Sequence, residues 1–474
     1  MTPNDAPIVQ DSPVVIIGAG PVGLAAAAHA LERGLDPLVI ETGDQAGSSV
    51  REWAHIPLFS PWRFDTDAAA RRLLARHGWQ EPAGDEVPTG GDLVERYLEP
   101  LSQLPELAGR IRYGARVLSV TRAGLDKTRT IGRERLPFVV RLQTEAGTED
   151  VTARAVIDAS GTWRTPNPLG AMGIPAVGER EALQWLAGGL PDALGRDRAR
   201  FAGKRALVAG LGHSAANTLL ALVDLAEEVP GTEIVWAIRG DSPQRLYGAG
   251  AADELPERGA LGDRLRAAVE AGAITLLRNF AVSSLTPAPG GRVTVSATGS
   301  DGPQSVTVDT VAAATGFRPD LEMTRELQLD LDSTTESPSR LAPLIDPNFH
   351  SCGTVEPHGA DVLSHPEKDF YMVGMKSYGR APTFLLATGY EQVRSVVAAI
   401  AGDHEAARRV ELSLPETGVC CSTPGSKSPA AVGFATGVAH GRSGELGVEL
   451  ISVPSSTTLL QLSEVSGSVD ACCS

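Results

Sequence analysis

Two Rossmann-like α/β units with parallel sheets are the fold that three observations in this sequence predict. A strand, glycine turn, helix, strand pattern fills Val14 to Glu41, and a second copy fills Arg205 to Arg239. Each copy is followed by strand-like runs that close on a turn of small residues, Ala159 to Gly161 and Ala312 to Asp320. The copies differ at the end of their second strand, where the first carries an acid and the second a base.

The first copy reads VVIIGAGPVGLAAAAHALERGLDPLVIE. Its opening run, Val14 to Ile17, is short and β-branched, as expected of a parallel strand buried on both faces. Gly18, Gly20 and Gly23 follow at GxGxxG spacing. The first permits the tight turn, the second lets a pyrophosphate approach the backbone, and the third lets the helix pack close to the strand. The helix, rich in alanine up to Ala30, turns its free N–H groups and positive dipole end toward the phosphates. Gly34 ends it. A second strand, Pro37 to Ile40, delivers Glu41, where a carboxylate can take both hydroxyls of an adenosine ribose. Strand, helix, second strand and acid together make this a dinucleotide site rather than the glycine-rich turn of an ordinary α/β domain.

The chain has 474 residues, room for two or three domains, and a formal charge of −16 from 42 basic and 58 acidic side chains. That balance argues against nucleic acid or an anionic membrane as partner, since either wants a basic face. MTPNDAPIVQDSP carries no basic n-region, and no window approaches the roughly 20 apolar residues of a membrane span. The expectation is a cytoplasmic protein. Its five cysteines are Cys352, the pair Cys420 and Cys421, and the pair Cys472 and Cys473. An odd number, clustered late, is not a secreted disulfide framework.

After Glu41 come the loop ETGDQAGSSVREW and the poorly periodic HIPLFSPWRF, with Trp53, Trp62 and Arg63. Two readings stay open: Trp62 and its neighbours cover a flat cofactor ring, or the tryptophans plug a domain seam. Pro88 to Leu104 has the pattern of an amphipathic helix after a Pro/Gly turn. Ala115 to Thr121, Pro137 to Thr144 and Val151 to Asp158 read as a meander that returns to the first sheet. In the second copy, the strand Arg205 to Ala209 leads into Gly210, Gly212 and Ser214, with Ala215 in the third-glycine place and an apolar helix beyond. The strand Glu233 to Ile238 ends at Arg239, whose guanidinium suits the 2′-phosphate of NADPH; Asp241 keeps NADH open. Gly291 to Ala297 and Gln304 to Val311 read as a second meander, closing on the turn that holds Thr315 and Gly316.

The motifs GAGPVG (Gly18 to Gly23), PTG (Pro88 to Gly90), GLGHSA (Gly210 to Ala215) and ATGFRPD (Ala314 to Asp320), with FYMVGMKSYGRAPTFLLATGYEQVRSV at Phe370 to Val396, carry a family resemblance. From about Val14 to Ile400 the chain resembles the flavoproteins with two dinucleotide-binding domains, and among them the flavin-containing monooxygenase-like group. The resemblance implies a Rossmann-like FAD domain in two parts, residues 1–165 and 311–410, and an inserted NAD(P)H domain at 166–310; past the end of that pattern, residues 411–474 read from their composition as a flexible Gly/Ser-rich tail. It also implies Gly374 near the FAD chain and Thr383 at the start of a helix facing the flavin. Two positions depart from the family: Met375 stands where relatives often place an aspartate for the ribityl chain, and Phe201 and Gly203 are followed by Leu207 where the FxGxxxH fingerprint has histidine.

No cysteine precedes Cys352. A redox-active pair beside the flavin, as in the disulfide reductases this fold resembles, is therefore missing, which leaves reaction of the reduced cofactor with oxygen or a bound substrate. The expected reaction is NADPH reducing FAD, with one oxygen atom of O2 passing to sulfur, nitrogen or trivalent arsenic. Adjacent thiolates can share one thiophilic ion, so Cys420, Cys421, Cys472 and Cys473 are candidate metal or metalloid ligands; otherwise they are unliganded tail thiols or disulfides between pairs. Paired cysteines near a C-terminus resemble the tail of mercuric reductase. LFSPWRF and MKSYGRAPTFLLATGYEQVRS resemble flavoproteins associated with arsenic-resistance gene clusters. The substrate expected is a trivalent arsenical, with a metal reductase or a non-catalytic metalloid-binding flavoprotein as alternatives. Between the ATG turn at Ala314 to Gly316 and the segment that begins at Phe370 lie His350, Ser351, Cys352, Glu356, His358 and His365, in a spacing that matches no zinc motif. Cys352 reads as a third thiolate or substrate trap and His358 as a proton donor, against loop histidines that cap turns. The partners expected are a small-molecule or metalloid substrate and O2, without nucleic acid or membrane; a homodimer is left open.

Overall fold

The computed structural model describes residues 12–248, 256–300, 302–347, 355–382 and 384–412. β1 (Val14–Ile17), α1 (Pro21–Glu32) and β2 (Pro37–Ile40) stand where the first glycine pattern puts them. β1 is buried along its whole length and pairs in parallel with β2 from Val14–Pro37 to Ile17–Ile40. At the turn between β1 and α1, Gly18 has φ +101°, and a Cβ there would lie 2.8 Å from the Ala159 carbonyl oxygen. Only glycine accepts both conditions. Ala25 to Ala28 are buried, so α1 lies close to its neighbours on a face of methyl groups.

The expected helix at 88–104 is continuous but changes pitch: Gly90–Leu93 is α-helical, Val94–Leu98 is a π-turn, and Glu99–Ser102 is α-helical again. Thr89 and Asp92 form a reciprocal capping box at its start. Pro100 has no N–H to give the Arg96 carbonyl, and the Trp79 indole donates to that oxygen instead at 2.8 Å, which accounts for the widened turn.

β3 (Ile111–Arg112) pairs with β2. β4 (Arg116–Arg122), β5 (Phe138–Thr144) and β6 (Gly147–Ala153) form an antiparallel meander, and β7 (Ala155–Asp158) returns to lie parallel to β1. The single strand expected at Val151 to Asp158 is thus two. The chain turns at Arg154, whose N–H donates to the Pro13 carbonyl, because β6 has a largely exposed face while β7 is buried throughout.

The second unit contains β8 (Leu186–Ala187), β9 (Arg205–Ala209), α2 (His213–Glu228), β10 (Glu233–Ala237), α3 (Pro256–Glu270) and β11 (Thr275–Leu277), then a meander of β12 (Ala281–Ala288), β13 (Arg292–Gly299) and β14 (Gly302–Val308), and finally β15 (Thr310–Ala313). Its parallel sheet has the order β11-β10-β9-β15-β8. The run expected as one strand from Gln304 to Val311 divides between meander and sheet, and the domain boundary expected between residues 310 and 311 falls inside β15. β12 escapes a reading by alternation because its register shifts between Val282 and Ser284 and because it contains Pro287.

β16 (Phe370–Met372) completes the first sheet in the order β16-β7-β1-β2-β3. The helix α4 (Leu386–Ile400) then packs on α1. It begins three residues beyond the expected start at Thr383, which lies outside the described residues. No described helix is long and apolar enough to cross a membrane.

One buried group in this first unit is expected to weaken it. Asp65 is fully buried, accepts one hydrogen bond from Ser60 Oγ at 2.7 Å, and is pushed up to about 7 by burial. The folded chain holds this proton more tightly than the unfolded chain, so stability is lost as pH rises from about 4 to about 7. At roughly 1.4 kcal/mol per pH unit, Asp65→Asn is expected to raise stability at pH 8 by about 2–4 kcal/mol and to change it little at pH 4. Urea unfolding at the two pH values measures this.

Candidate functional site

The first cradle is the amino end of α1. Gly20 is its N-cap, with φ −81° and no side chain to cap the free N–H groups. A Cβ on Gly20 would meet nothing within 4 Å, whereas one on Gly23 would come within 1.9 Å of the Gly18 carbonyl oxygen. Space is therefore kept above the turn and closed beneath it, as a phosphate over a helix N-terminus requires. Glu41 is held in advance: Oε2 accepts from the Ala19 N–H at 2.8 Å, and Oε1 accepts from the Gly43 N–H at 2.7 Å and Ser48 Oγ at 2.8 Å. Oε1 thus has both lone pairs engaged, while Oε2 keeps one for a ribose hydroxyl. Beyond Glu41, Asp44, Ala46, Ser102 and Tyr113 line a cavity of about 270 Å³ that suits a purine base. These residues fit the FAD dinucleotide.

The second cradle repeats the arrangement at α2. Gly210 has φ +142°, and a Cβ there would lie 2.1 Å from the Ala314 carbonyl oxygen. Gly212 caps α2 with φ −110°, no capping side chain, and nothing within 4 Å of a built Cβ. Ala215 is buried where the helix meets the sheet, and Ser214 is half-buried in the first turn. Arg239 is exposed just past β10, with Nη1 donating to the Ala171 carbonyl at 3.2 Å and no carboxylate partner among the described residues. These residues fit a pyridine dinucleotide carrying a 2′-phosphate.

The two units meet at a paired crossover. Thr315 Oγ1 donates to the Asn167 carbonyl at 2.8 Å, Asn167 Nδ2 donates to the Thr315 carbonyl at 3.1 Å, and the Asn167 N–H donates to the Gly316 carbonyl at 2.9 Å. Thr315 and Gly316 thus tie the strands that connect the units, and Asn167, which the motif reading passed over, is their partner. A cleft of about 440 Å³ lies between residues of the first unit, Arg51, Glu52, His55 and Asp92, and of the second, Asp192 and Arg196. Glu52 closes one wall by accepting from the Trp163 indole at 2.9 Å. Phe59 from the HIPLFSPW segment stands 4.9 Å, centroid to centroid, from His213 in the second glycine turn, so that segment faces the second cradle.

Two expected site residues do other work. Trp62 is 1% exposed, packed in the core of the first unit beneath Arg96, and offers no face to a cofactor ring. The helix Trp62–Asp65 turns it inward. His358 is buried; Nδ1 donates to the Glu356 carbonyl at 2.9 Å and Nε2 accepts from Gln392 Nε2 at 2.9 Å. With both nitrogens bound and burial holding its pKa below the usual histidine value, His358 is a neutral structural group and not a proton donor. Gly374 (φ +67°) donates its N–H to Gln392 Oε1 at 2.7 Å, so His358 acts on the Gly374 turn through Gln392. Cys352, Thr383, Cys420, Cys421, Cys472 and Cys473 lie outside the described residues. Among those described, no cluster of three or more histidine, cysteine or acidic side chains is placed to hold a metal.

Comparison with known proteins agrees with this geometry. Residues 15–348 match the family described as pyridine nucleotide-disulphide oxidoreductase. Ferredoxin–NADP reductase 1 of Cupriavidus metallidurans is 31% identical over 229 residues, 48% of this chain and 53% of the relative. The protein of the same name from Cupriavidus taiwanensis is 32% identical over 231 residues, 48% and 54% of the two chains. The chain spans about half the length of these curated relatives. Among solved structures, bacillithiol disulfide reductase Bdr (YpdA) from Bacillus cereus superposes with a TM-score of 0.60 at 20% identity, covering 82% of this chain and 99% of that one. DfoA bound to FAD, the cadaverine monooxygenase of Erwinia amylovora, gives 0.57 at 12% identity and 85% and 98% coverage. The flavin-containing monooxygenase from Stenotrophomonas maltophilia gives 0.51 at 21% identity and 82% and 98% coverage. These three share its fold. With both glycine cradles, the paired crossover and the family match across most of its length, the chain belongs to the pyridine nucleotide-disulphide oxidoreductase family.

Proposed function

We propose that this protein is an FAD- and NADPH-dependent monooxygenase whose substrate is a soft nucleophile, a trivalent arsenical in the first instance. The observation that carries the reading is the combination of two complete dinucleotide cradles with the lack of any cysteine before Cys352. When bound, FAD supplies the store of reducing equivalents that links NADPH to an acceptor. The chain's own residues bind and orient. The α1 N-terminus and Glu41 hold the adenosine diphosphate half of FAD, and Gly374 borders its other half. The α2 N-terminus, with Ser214 and Arg239, holds NADPH, and the cleft between the units admits the acceptor.

Arg239 is the residue that discriminates between the nicotinamide cofactors in this reading. Arg239→Ala is expected to raise the KM for NADPH by about tenfold or more, the loss of one charge-assisted hydrogen bond, and to leave the KM for NADH within about twofold. Steady-state kinetics with both cofactors checks it.

The arsenical assignment is supported by the pairs Cys420–Cys421 and Cys472–Cys473, since vicinal thiolates are good ligands for soft, thiophilic ions, with Cys352 as a further thiolate. Changing the four paired cysteines to serine is expected to weaken arsenite capture; unchanged arsenite affinity and turnover would remove the tail from the mechanism. The names of the Cupriavidus relatives favour a second reading, a reductase that passes electrons to a bound carrier or metal. Oxygen separates the two. In the monooxygenase, arsenite or a methylated trivalent arsenical stimulates NADPH oxidation with matching oxygen uptake and a pentavalent product. Substrate-dependent NADPH oxidation that proceeds without oxygen establishes the reductase instead.

A further inference from the structure

Lys376 and Asp158 form an ion pair of 2.6 Å with both side chains fully buried. A pair this deep gives up the hydration of two ions, and apolar side chains of the same volume are often as stable or more so, so its position calls for an explanation beyond stability. Asp158 ends β7, Lys376 follows β16 by four residues, and Gly18 follows β1. These three strands are neighbours, and their carboxyl ends form the edge at which open α/β sheets bind ligands.

The pair holds one exposed group, Ser160. Its hydroxyl donates to Asp158 Oδ1 at 2.6 Å and accepts from Lys376 Nζ at 3.1 Å, and its backbone N–H also donates to Asp158 Oδ1, at 3.1 Å. Ser160 Cα lies 3.2 Å from the place of a Cβ on Gly18. With its proton committed to the carboxylate and one lone pair to the ammonium, the oxygen has a single lone pair left. A freely rotating serine could donate or accept; this one is set to accept.

The sheet order gives the direction of the ligand. Glu41 follows β2 on one side of β1, while Ser160 and Lys376 follow β7 and β16 on the other. A dinucleotide with its adenosine hydroxyls on Glu41 and its pyrophosphate over α1 must run its remaining half toward β7. In FAD that half begins with the ribityl chain, whose hydroxyls are donors in search of acceptors. The residue after Gly374 is Met375, which offers none.

We propose that Ser160, fixed as an acceptor by Asp158 and Lys376, holds a ribityl hydroxyl of FAD, and that the buried pair are its positioning residues. The inference rests on the FAD reading above. Its test is titration of the FAD-free protein with FAD, followed by flavin fluorescence, alongside thermal melting of the FAD-free forms. Ser160→Ala is expected to weaken FAD binding about tenfold, as for one hydrogen bond supported by charge, while the FAD-free variant still melts in one cooperative transition, and Ser160→Thr, which keeps the hydroxyl, restores the affinity. Lys376→Met weakens FAD binding in the wild type but adds nothing further to Ser160→Ala, because the two act through one contact. Ser160→Ala binding FAD as tightly as the wild type, or Lys376→Met weakening that variant by the same factor as the wild type, overturns the proposal. A wild-type protein that takes up no FAD overturns the FAD reading itself.

Discussion

Gly20→Val is expected to abolish FAD uptake while leaving the chain folded. Gly20 sits at φ −81° and ψ −175°, a conformation open to any residue, and a Cβ there meets nothing within 4 Å. The protein therefore has no steric objection to a side chain at this position, and the N-cap makes no side-chain hydrogen bond that would be lost. The only thing displaced is whatever occupies the space over the α1 N-terminus. If that is a pyrophosphate, the isopropyl group excludes it from N–H groups that no other part of the site supplies. The affinity lost is on the order of a hundredfold or more, ~3 kcal/mol. The FAD-free variant should melt with the FAD-free wild type, and its visible spectrum after reconstitution should lack flavin. Gly18→Val is the contrasting control, because the positive φ and the Ala159 carbonyl oppose a side chain there, and that variant loses stability as well.

Gly212→Val is expected to separate the two cofactors. At φ −110° and with open space around it, this position also tolerates a side chain as far as the fold is concerned. FAD should bind as in the wild type, since the first cradle is built from other strands, while reduction of the bound flavin by NADPH should slow by about a hundredfold or more. Stopped-flow absorbance of the flavin measures it. A chemical reductant should still bleach the cofactor at the wild-type rate, which places the defect in nicotinamide binding and not in the flavin.

Much of the nucleotide-binding framework is legible in the sequence because it depends on local rules. A β-branched run, glycines at fixed offsets and a charged residue after the second strand all lie within some thirty residues of one another, and β1, α1, β2, β9, α2 and β10 stand within a residue or two of their expected places. What was hidden depends on contacts between distant segments. The division of Val151 to Asp158 into β6 and β7 follows from which sheet each half joins, and a hydrophobic pattern alone does not carry that information. Asn167 gains its role only because Thr315 and Gly316 lie across from it. Trp62 shows the limit of reasoning from residue type: an aromatic ring in an irregular segment suits a cofactor or a core, and burial decides for the core. His358 is similar, since an ionisable side chain is a proton donor only if a nitrogen is free, and both of its nitrogens are taken by Glu356 and Gln392. The Asp158–Lys376 pair joins residues 218 positions apart (376 − 158), and neither belongs to the glycine patterns that drew attention to the chain.

The central claim, a flavin reduced directly by NADPH without help from cysteine, is tested most directly by anaerobic titration of the FAD-loaded protein with NADPH after all five cysteines have been changed to serine. The account predicts full bleaching of the flavin by one equivalent of NADPH, at the rate of the unsubstituted protein, and recovery of the oxidised spectrum with oxygen uptake when air is admitted. A flavin that stays oxidised in the cysteine-free protein but bleaches in the unsubstituted one would contradict the claim and make the thiols part of the electron path.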